Sequence, residues 1–229
     1  MFIGMGMPIP DLANLPGSSR PGGGGGAFEY TAIDNSFSME FDGANSYILT
    51  DLTPNSYTSF TISAWAYADS LGSFNTIASQ WRNGNAPNSA WFLETIGSNM
   101  AFGVANGSSF AYATKAFSTG GWYHIVGVWN GSTAEVYIDG VASGSPVSIS
   151  GMNTGTVNMV FGGIWDNGGT TVNAGLWNGK IDEVAIWSTA LSESTIQNIY
   201  DTTANNPGKV ADLSETPEGQ PTAWYRMGD

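Results

Sequence analysis

The 229-residue chain contains no cysteine, which excludes a disulfide framework, thiolate metal centres and cysteine nucleophiles. It holds a single histidine, His124, so an acyl-transfer triad has almost nothing to be built from. Cations are scarce: six Lys and Arg stand against nineteen Asp and Glu, for a formal net charge of −13. So few positive groups cannot neutralise a phosphate backbone, which excludes nucleic acid and anionic membranes as partners. Long apolar runs are missing as well. The start, Met1 to Pro10, is apolar but is broken by Gly and Pro and lacks a basic segment, so it reads as neither a signal peptide nor a membrane span.

What is present is material for a core. Hydrophobic residues make up 41% and aromatics 13% of the chain, with nine Trp, ample for one large domain held by packing alone. Residues 1–26 carry four prolines and end in Gly22 to Gly26, a run too entropic to order by itself. They predict a flexible arm, with residues 27–201 as the folded domain and 202–229 as a tail or contact segment. The arm's apolar side chains (Phe2, Ile3, Met5, Met7, Ile9, Leu12 and Leu15) suit docking onto a partner or a neighbouring copy; an unstructured end is the alternative.

From Ser36 to Trp187 short runs alternate with period two between Gly, Asn, Ser and Thr clusters. Phe60, Ile62 and Ala64 around Thr61 and Ser63 are one example, and Val136 and Ile138 beside Glu135 and Asp139 another. This pattern predicts an all-β, antiparallel sandwich or barrel. Asp139-Gly140 has the residue types of a two-residue hairpin turn. One short helix is expected near the end, with Ser192 as N-cap, Leu191 and Ile196 as its hydrophobic staple, and Ile199 and Tyr200 on its apolar face. Residues 202–221 are polar and read as a tail, whereas 223–229 read as a closing strand or a contact peptide.

Four segments in order, Ser38 to Ile48, Phe60 to Ala68, Trp122 to Ala142 and Gly179 to Tyr200, resemble the laminin-G-like branch of the concanavalin-A-like superfamily over residues 36–201. The resemblance implies a jelly roll of two stacked antiparallel sheets, about six or seven strands each. The outer segments, Met1 to Gly26 and the Trp-Tyr-Arg-Met-Gly-Asp ending, resemble structural proteins of tailed phages infecting marine bacteria. That second likeness implies a virion component such as a capsid decoration, head fibre or tail-associated protein.

Some members of the superfamily hydrolyse glycosides, which takes two carboxyl groups about 5 to 5.5 Å apart in retaining enzymes. The nearest pattern is Glu40 and Asp42, without a third carboxylate. Asp182 and Glu183 are adjacent, so pleating is expected to send them to opposite faces. The chain is therefore expected not to be an enzyme. The resemblance nominates a structural calcium held by Asp42 and Asp182 with the Gly43 carbonyl; the alternative is that Asp42 caps a turn and Asp182 bonds backbone amides. Trp81 and Trp165, beside Arg82, Asn83, Asp166 and Asn167, are the candidate glycan-stacking residues. Trp91, Tyr112 and Trp177 lie in similar contexts, whereas Trp65, Trp122, Trp129 and Trp187 are expected to be core, and His124 to be bonded within its sheet. The reading is a non-catalytic virion surface protein, with other virion proteins and host surface polysaccharide as partners and copies joined in a homo-oligomer. A free-standing extracellular lectin is the alternative.

Overall fold

The computed structural model describes residues 28–54, 57–84 and 86–227. The arm, including Phe2, Ile3, Met5, Met7, Ile9, Leu12 and Leu15, lies outside the described residues. In chain order the first strands are β1 (Ala32–Asp34), β2 (Met39–Asp42), β3 (Ile48–Leu49), β4 (Phe60–Ala68), β5 (Phe74–Gln80), β6 (Trp91–Ile96), β7 (Asn99–Ala105), β8 (Phe110–Ala116) and β9 (Trp122–Trp129). There follow β10 (Thr133–Ile138), β11 (Val141–Ala142), β12 (Val147–Ser148), β13 (Val160–Phe161), β14 (Ile164–Trp165), β15 (Val172–Ala174), β16 (Asn178–Trp187), helix α1 (Glu193–Ala204), β17 (Lys209–Ala211) and β18 (Ala223–Tyr225).

Two antiparallel sheets stack face to face. The eight-stranded sheet runs β11-β10-β9-β4-β16-β18, with β12 also on β10 and β2 also on β16; the six-stranded sheet runs β3-β13-β5-β6-β7-β8. Alternation decides which side chains enter the layer between them. From β4, Phe60, Ile62, Ala64, Ala66 and Ala68 point inward and join Trp129 of β9, Trp91 and Leu93 of β6 and Phe102 of β7 in one core. Each large side chain buried here contributes about 1.5–3 kcal/mol. The sheets also interlock: the ring of Phe102 occupies the space above Gly127, where a Cβ would stand 2.3 Å from it.

The opposite face of the eight-stranded sheet is covered by α1. Ser192 caps the helix and its hydroxyl accepts from Thr195 N. Ile196 and Ile199 then pack on Val126, Val128, Ala185 and Trp187, while Tyr200 packs on Trp65 and Trp122. The hairpin turn is as the residue types ask, with Asp139 at φ +52° and Gly140 at φ +74° between the paired Ile138 and Val141. Residues 202–221, read from composition as a tail, are folded onto the domain. β17 pairs with β1, Leu213 is buried, and the Glu218 carboxylate accepts from Ser192 N and Thr195 Oγ1. Three apolar residues, Val210, Ala211 and Leu213, anchor this stretch, too few to show as a period. Of the two readings of the ending, the structure takes the strand: β18 pairs with β16.

A bulge in β16 corrects one expectation. The register shifts between Asp182 and Ala185, and Glu183 sits at φ +50°. Asp182 stays opposite Trp65 on the helix side. Glu183 reaches the indole N–H of Trp224 at 2.5 Å and Arg226 Nε at 3.3 Å, and Trp224 packs on that same side. An extra residue cancels the alternation, so both carboxylates face the helix layer instead of opposite faces.

Candidate functional site

The outer face of the six-stranded sheet is exposed along its edge strand β8, while Thr76, Ser79, Phe92, Glu94 and Ala101 on the same face are buried. Because Trp91, Leu93, Met100, Phe102, Val104 and Ala113 point into the core, their neighbours point outward. Register then sets two rows across the sheet: Ser79, Phe92, Gly103 and Tyr112, and beside it Thr76, Glu94, Ala101 and Thr114. The central strand contributes only small residues, so the rings of its neighbours close over it. Phe92 lies on Gly103, where an added Cβ would meet the ring at 2.2 Å.

Trp81 stands edge-on to Phe92 at 4.9 Å and to Phe110 at 5.6 Å. Phe110 and Tyr112, two residues apart on β8, hold their rings 6.2 Å apart and only 17° from parallel. Phe92 is buried beneath them, yet Phe110 is 49% and Tyr112 40% exposed. The result is a flat aromatic platform on an edge strand. Next to it Glu94 is only 6% exposed, with one bond to its carboxyl, from Thr76 Oγ1 at 3.1 Å. Burial pushes its pKa up to about 7, against a smaller lowering by Thr76.

The hairpin of β14 and β15 walls one side. Thr76 N donates to Gly175 O and Ser79 Oγ to Gly163 O. Trp165 is joined to Trp81 through the backbone, its N–H donating to Trp81 O, but its indole N–H turns to the Asn158 carbonyl at 2.8 Å. The structure thus brings both candidate tryptophans to one corner and puts only Trp81 in the ring cluster. Trp91 and Trp177 are fully buried, and so are Trp129 and Trp187, with Trp65 and Trp122 nearly so. Phe92, Phe110 and Glu94 belong to the site and were not anticipated. The Phe-Ala-Tyr spacing at 110–112 is the signal that points to them, since period two puts both rings on one face.

Asp42 and Asp182 are not brought together. Asp42 lies opposite Asn178 and Asp182 four residues further along β16, about 13 Å away by strand rise. Asp42 Oδ1 accepts from the N–H groups of Asn45, Ala44 and Ser46, which hold its carboxyl well below the usual range. Gly43, at φ +67°, starts that turn. Asp182 is buried and accepts from Asn35 Nδ2 at 2.9 Å and Glu183 N at 2.8 Å. These residues do not fit a shared calcium ion, which needs its oxygens converging at about 2.3–2.6 Å. Among the described residues no three His, Asp or Glu side chains are grouped to hold a metal.

His124 lies under the helix, with Nε2 2.8 Å from Ser63 Oγ and its ring stacked on Trp65 at 5.2 Å. It serves packing, as its strand context predicts. A separate polar cleft on the helix side is lined by Phe28, Tyr30, Asn198, Asp201, Asn205 and Asn206. Asn198 Nδ2 donates there to Phe28 O, which places Phe28 on the side away from the platform. No helix among the described residues is long and apolar enough to cross a membrane.

Fold and site together define a concanavalin-A-like jelly roll with one open aromatic face. The family model described as the concanavalin A-like lectin/glucanases superfamily matches residues 42–197, and the chain belongs to that superfamily. Similar solved structures include a Bacteroides ovatus protein assigned as carbohydrate-binding (TM-score 0.59, 18% identity, covering 87% of this chain and 52% of that one). A heptameric SAP-like pentraxin from Limulus polyphemus aligns at TM-score 0.57 and 16% identity over 83% of this chain and 91% of its own. The binding domain of botulinum neurotoxin DC, solved in complex with SialylT, aligns at TM-score 0.55 and 16% identity, covering 76% and 45%. The chain spans about half the length of the first and third of these. No curated protein matches the sequence.

Proposed function

We propose that the chain is a non-catalytic carbohydrate-binding module that takes its ligand on the platform of Phe110, Tyr112 and Trp81. The observation that carries this reading is the pair of near-parallel, exposed rings on a sheet face otherwise lined by small and hydroxyl side chains. The apolar face of a sugar ring stacks on such a surface while the exposed Thr114, with Glu94 sunk beside it, meets its hydroxyls. Glycoside hydrolysis takes two carboxyl groups, and across β5 to β8 Glu94 is the only acidic residue.

A glycan array probed with the whole chain tests this. Binding to at least one glycan is expected, without release of reducing ends. The Phe110→Ala, Tyr112→Ala double variant is expected to bind about tenfold or more weakly, from roughly 0.5–1.5 kcal/mol per ring, while still melting cooperatively, with a melting temperature lowered by several degrees through the lost ring contacts to Trp81 and Phe92. Failure to bind across the array, or full binding by the double variant, sinks the reading.

Display on a virus particle, with other particle proteins as partners and the module at the particle surface, is supported by one placement. Phe28 lies on the helix side and the platform occupies the outer face of the other sheet, so a domain anchored through the segment before Phe28 would turn the platform outward. Deleting residues 1–26 should leave folding and glycan binding intact and remove the protein from particles. Unchanged incorporation would defeat this role.

A further inference from the structure

Resting on the carbohydrate reading of the platform, we infer that this face takes neutral glycans and excludes those bearing carboxylate or sulfate groups, with Glu94 setting the discrimination. An anionic sugar needs a cation or several aimed N–H groups to replace its water. The platform offers neither. Arg82, the nearest cation in sequence, spends its guanidinium on Asn167 O and Thr156 Oγ1. Lys115, on β8 itself, points to the other sheet and donates to Ala142 O at 2.9 Å.

The remaining described cations are placed elsewhere. Lys180 lies over the Tyr67 ring, Lys209 pairs with Asp34, and Arg226 pairs with Glu183. The backbone N–H groups of β6 and β7 are oriented along the sheet, in its ladders, and Thr76 N of β5 is taken by Gly175 O. What the face presents instead is a carboxyl sunk between Ala101 and Thr76, with no basic group facing it from β5, β7, β8 or the β14–β15 hairpin. A carboxylate or sulfate seated on the rings would meet that carboxyl in a poorly solvated place, with the chain's net charge of −13 adding to the repulsion. A neutral sugar has no such conflict, since Glu94 exchanges hydrogen bonds with hydroxyls as acceptor when ionised and as donor when protonated.

Native affinity electrophoresis of the whole chain in gels containing matched polymers reads this directly: hydroxyethylcellulose against carboxymethylcellulose, dextran against dextran sulfate, and neutral against carboxymethylated laminarin. Retardation by at least one neutral polymer is expected, with its charged counterpart bound about tenfold or more weakly. Glu94→Gln, which keeps shape and hydrogen bonding, should narrow that gap. Thr114→Lys, an exposed change in the same row, should narrow it further by supplying the missing cation. Equal or tighter binding of the charged polymers by the unaltered chain overturns the inference and leaves the platform reading standing. No retardation by any polymer, neutral or charged, overturns both.

Discussion

Gly179→Ala is expected to leave the domain unable to fold cooperatively. Gly179 lies in β16 where that strand is paired on both sides, with Ala68 of β4 and Phe41 of β2. Its φ is +136°, and an added Cβ would stand 2.1 Å from the Tyr67 carbonyl oxygen and 3.0 Å from Ala68 Cα and Asp69 N. All three are backbone atoms at the C-terminal end of β4, so no side chain can step aside. Strain of this kind exceeds the usual run of single substitutions, about 0.5–3 kcal/mol, and rivals the whole stability of a domain, about 5–15 kcal/mol. Thermal unfolding followed by circular dichroism checks it. Gly97→Ala is the control, for Gly97 also has a positive φ, +59°, but nothing within 4 Å of a new Cβ, and its cost should stay near 1 kcal/mol. A cooperative melt for Gly179→Ala within a few degrees of the parent would show that the account of this crossing is mistaken.

The second large effect concerns acid. Desolvation pushes the pKa of His124 down to about 3 from 6.5, and Nδ1 has no partner to favour a charge. Between those values the unfolded chain binds a proton that the native state does not, so His124 subtracts stability as pH falls. Glu94 and Asp139 work the other way. Burial raises them to about 7 and about 6, so their contribution is fully present below their unfolded values and is lost as pH rises through the raised ones. Where the three overlap they offset one another, and below about pH 4 His124 is joined by Asp42 and Asp166, whose native carboxyls are held below their ordinary values by backbone N–H groups, so stability drops. The difference between the parent and His124→Gln isolates the imidazole. Melting temperatures of the two should diverge by about 3–6 °C per pH unit on going from pH 6.5 to 4, from about 1.4 kcal/mol per unit. Parallel curves would mean that His124 is not held neutral.

Much of the architecture was legible because its signals are local. Period two over 60–64 and 135–139, the Asp139-Gly140 turn and the Ser192 cap each depend on a few neighbouring residues, and each lies where those residues require. The platform was half legible. Trp81 and Tyr112 could be named as ring-bearing candidates, but in Trp91–Ile96 both parities are apolar and nearly all six residues are buried. Nothing within that segment says that Trp91 faces the core and Phe92 the platform. That choice is made by pairing with β5 and β7, which place Gly103 under one ring and Leu93 beside Phe102. Asp42 and Asp182 fail to meet for a similar reason, since the register along β16 separates them and the bulge at Glu183 changes which way the next carboxylate turns.

By itself the sequence determined that the chain is a cation-poor, disulfide-free β-sandwich with a capped helix, because composition and short-range periodicity bear on those properties one segment at a time. The tertiary structure alone decided which rings are exposed, that Glu94 is sunk beside them, and that Phe28 and the platform lie on opposite sides. Those facts belong to pairs of strands far apart in the chain, and register and stacking between them exist only once the two sheets have closed.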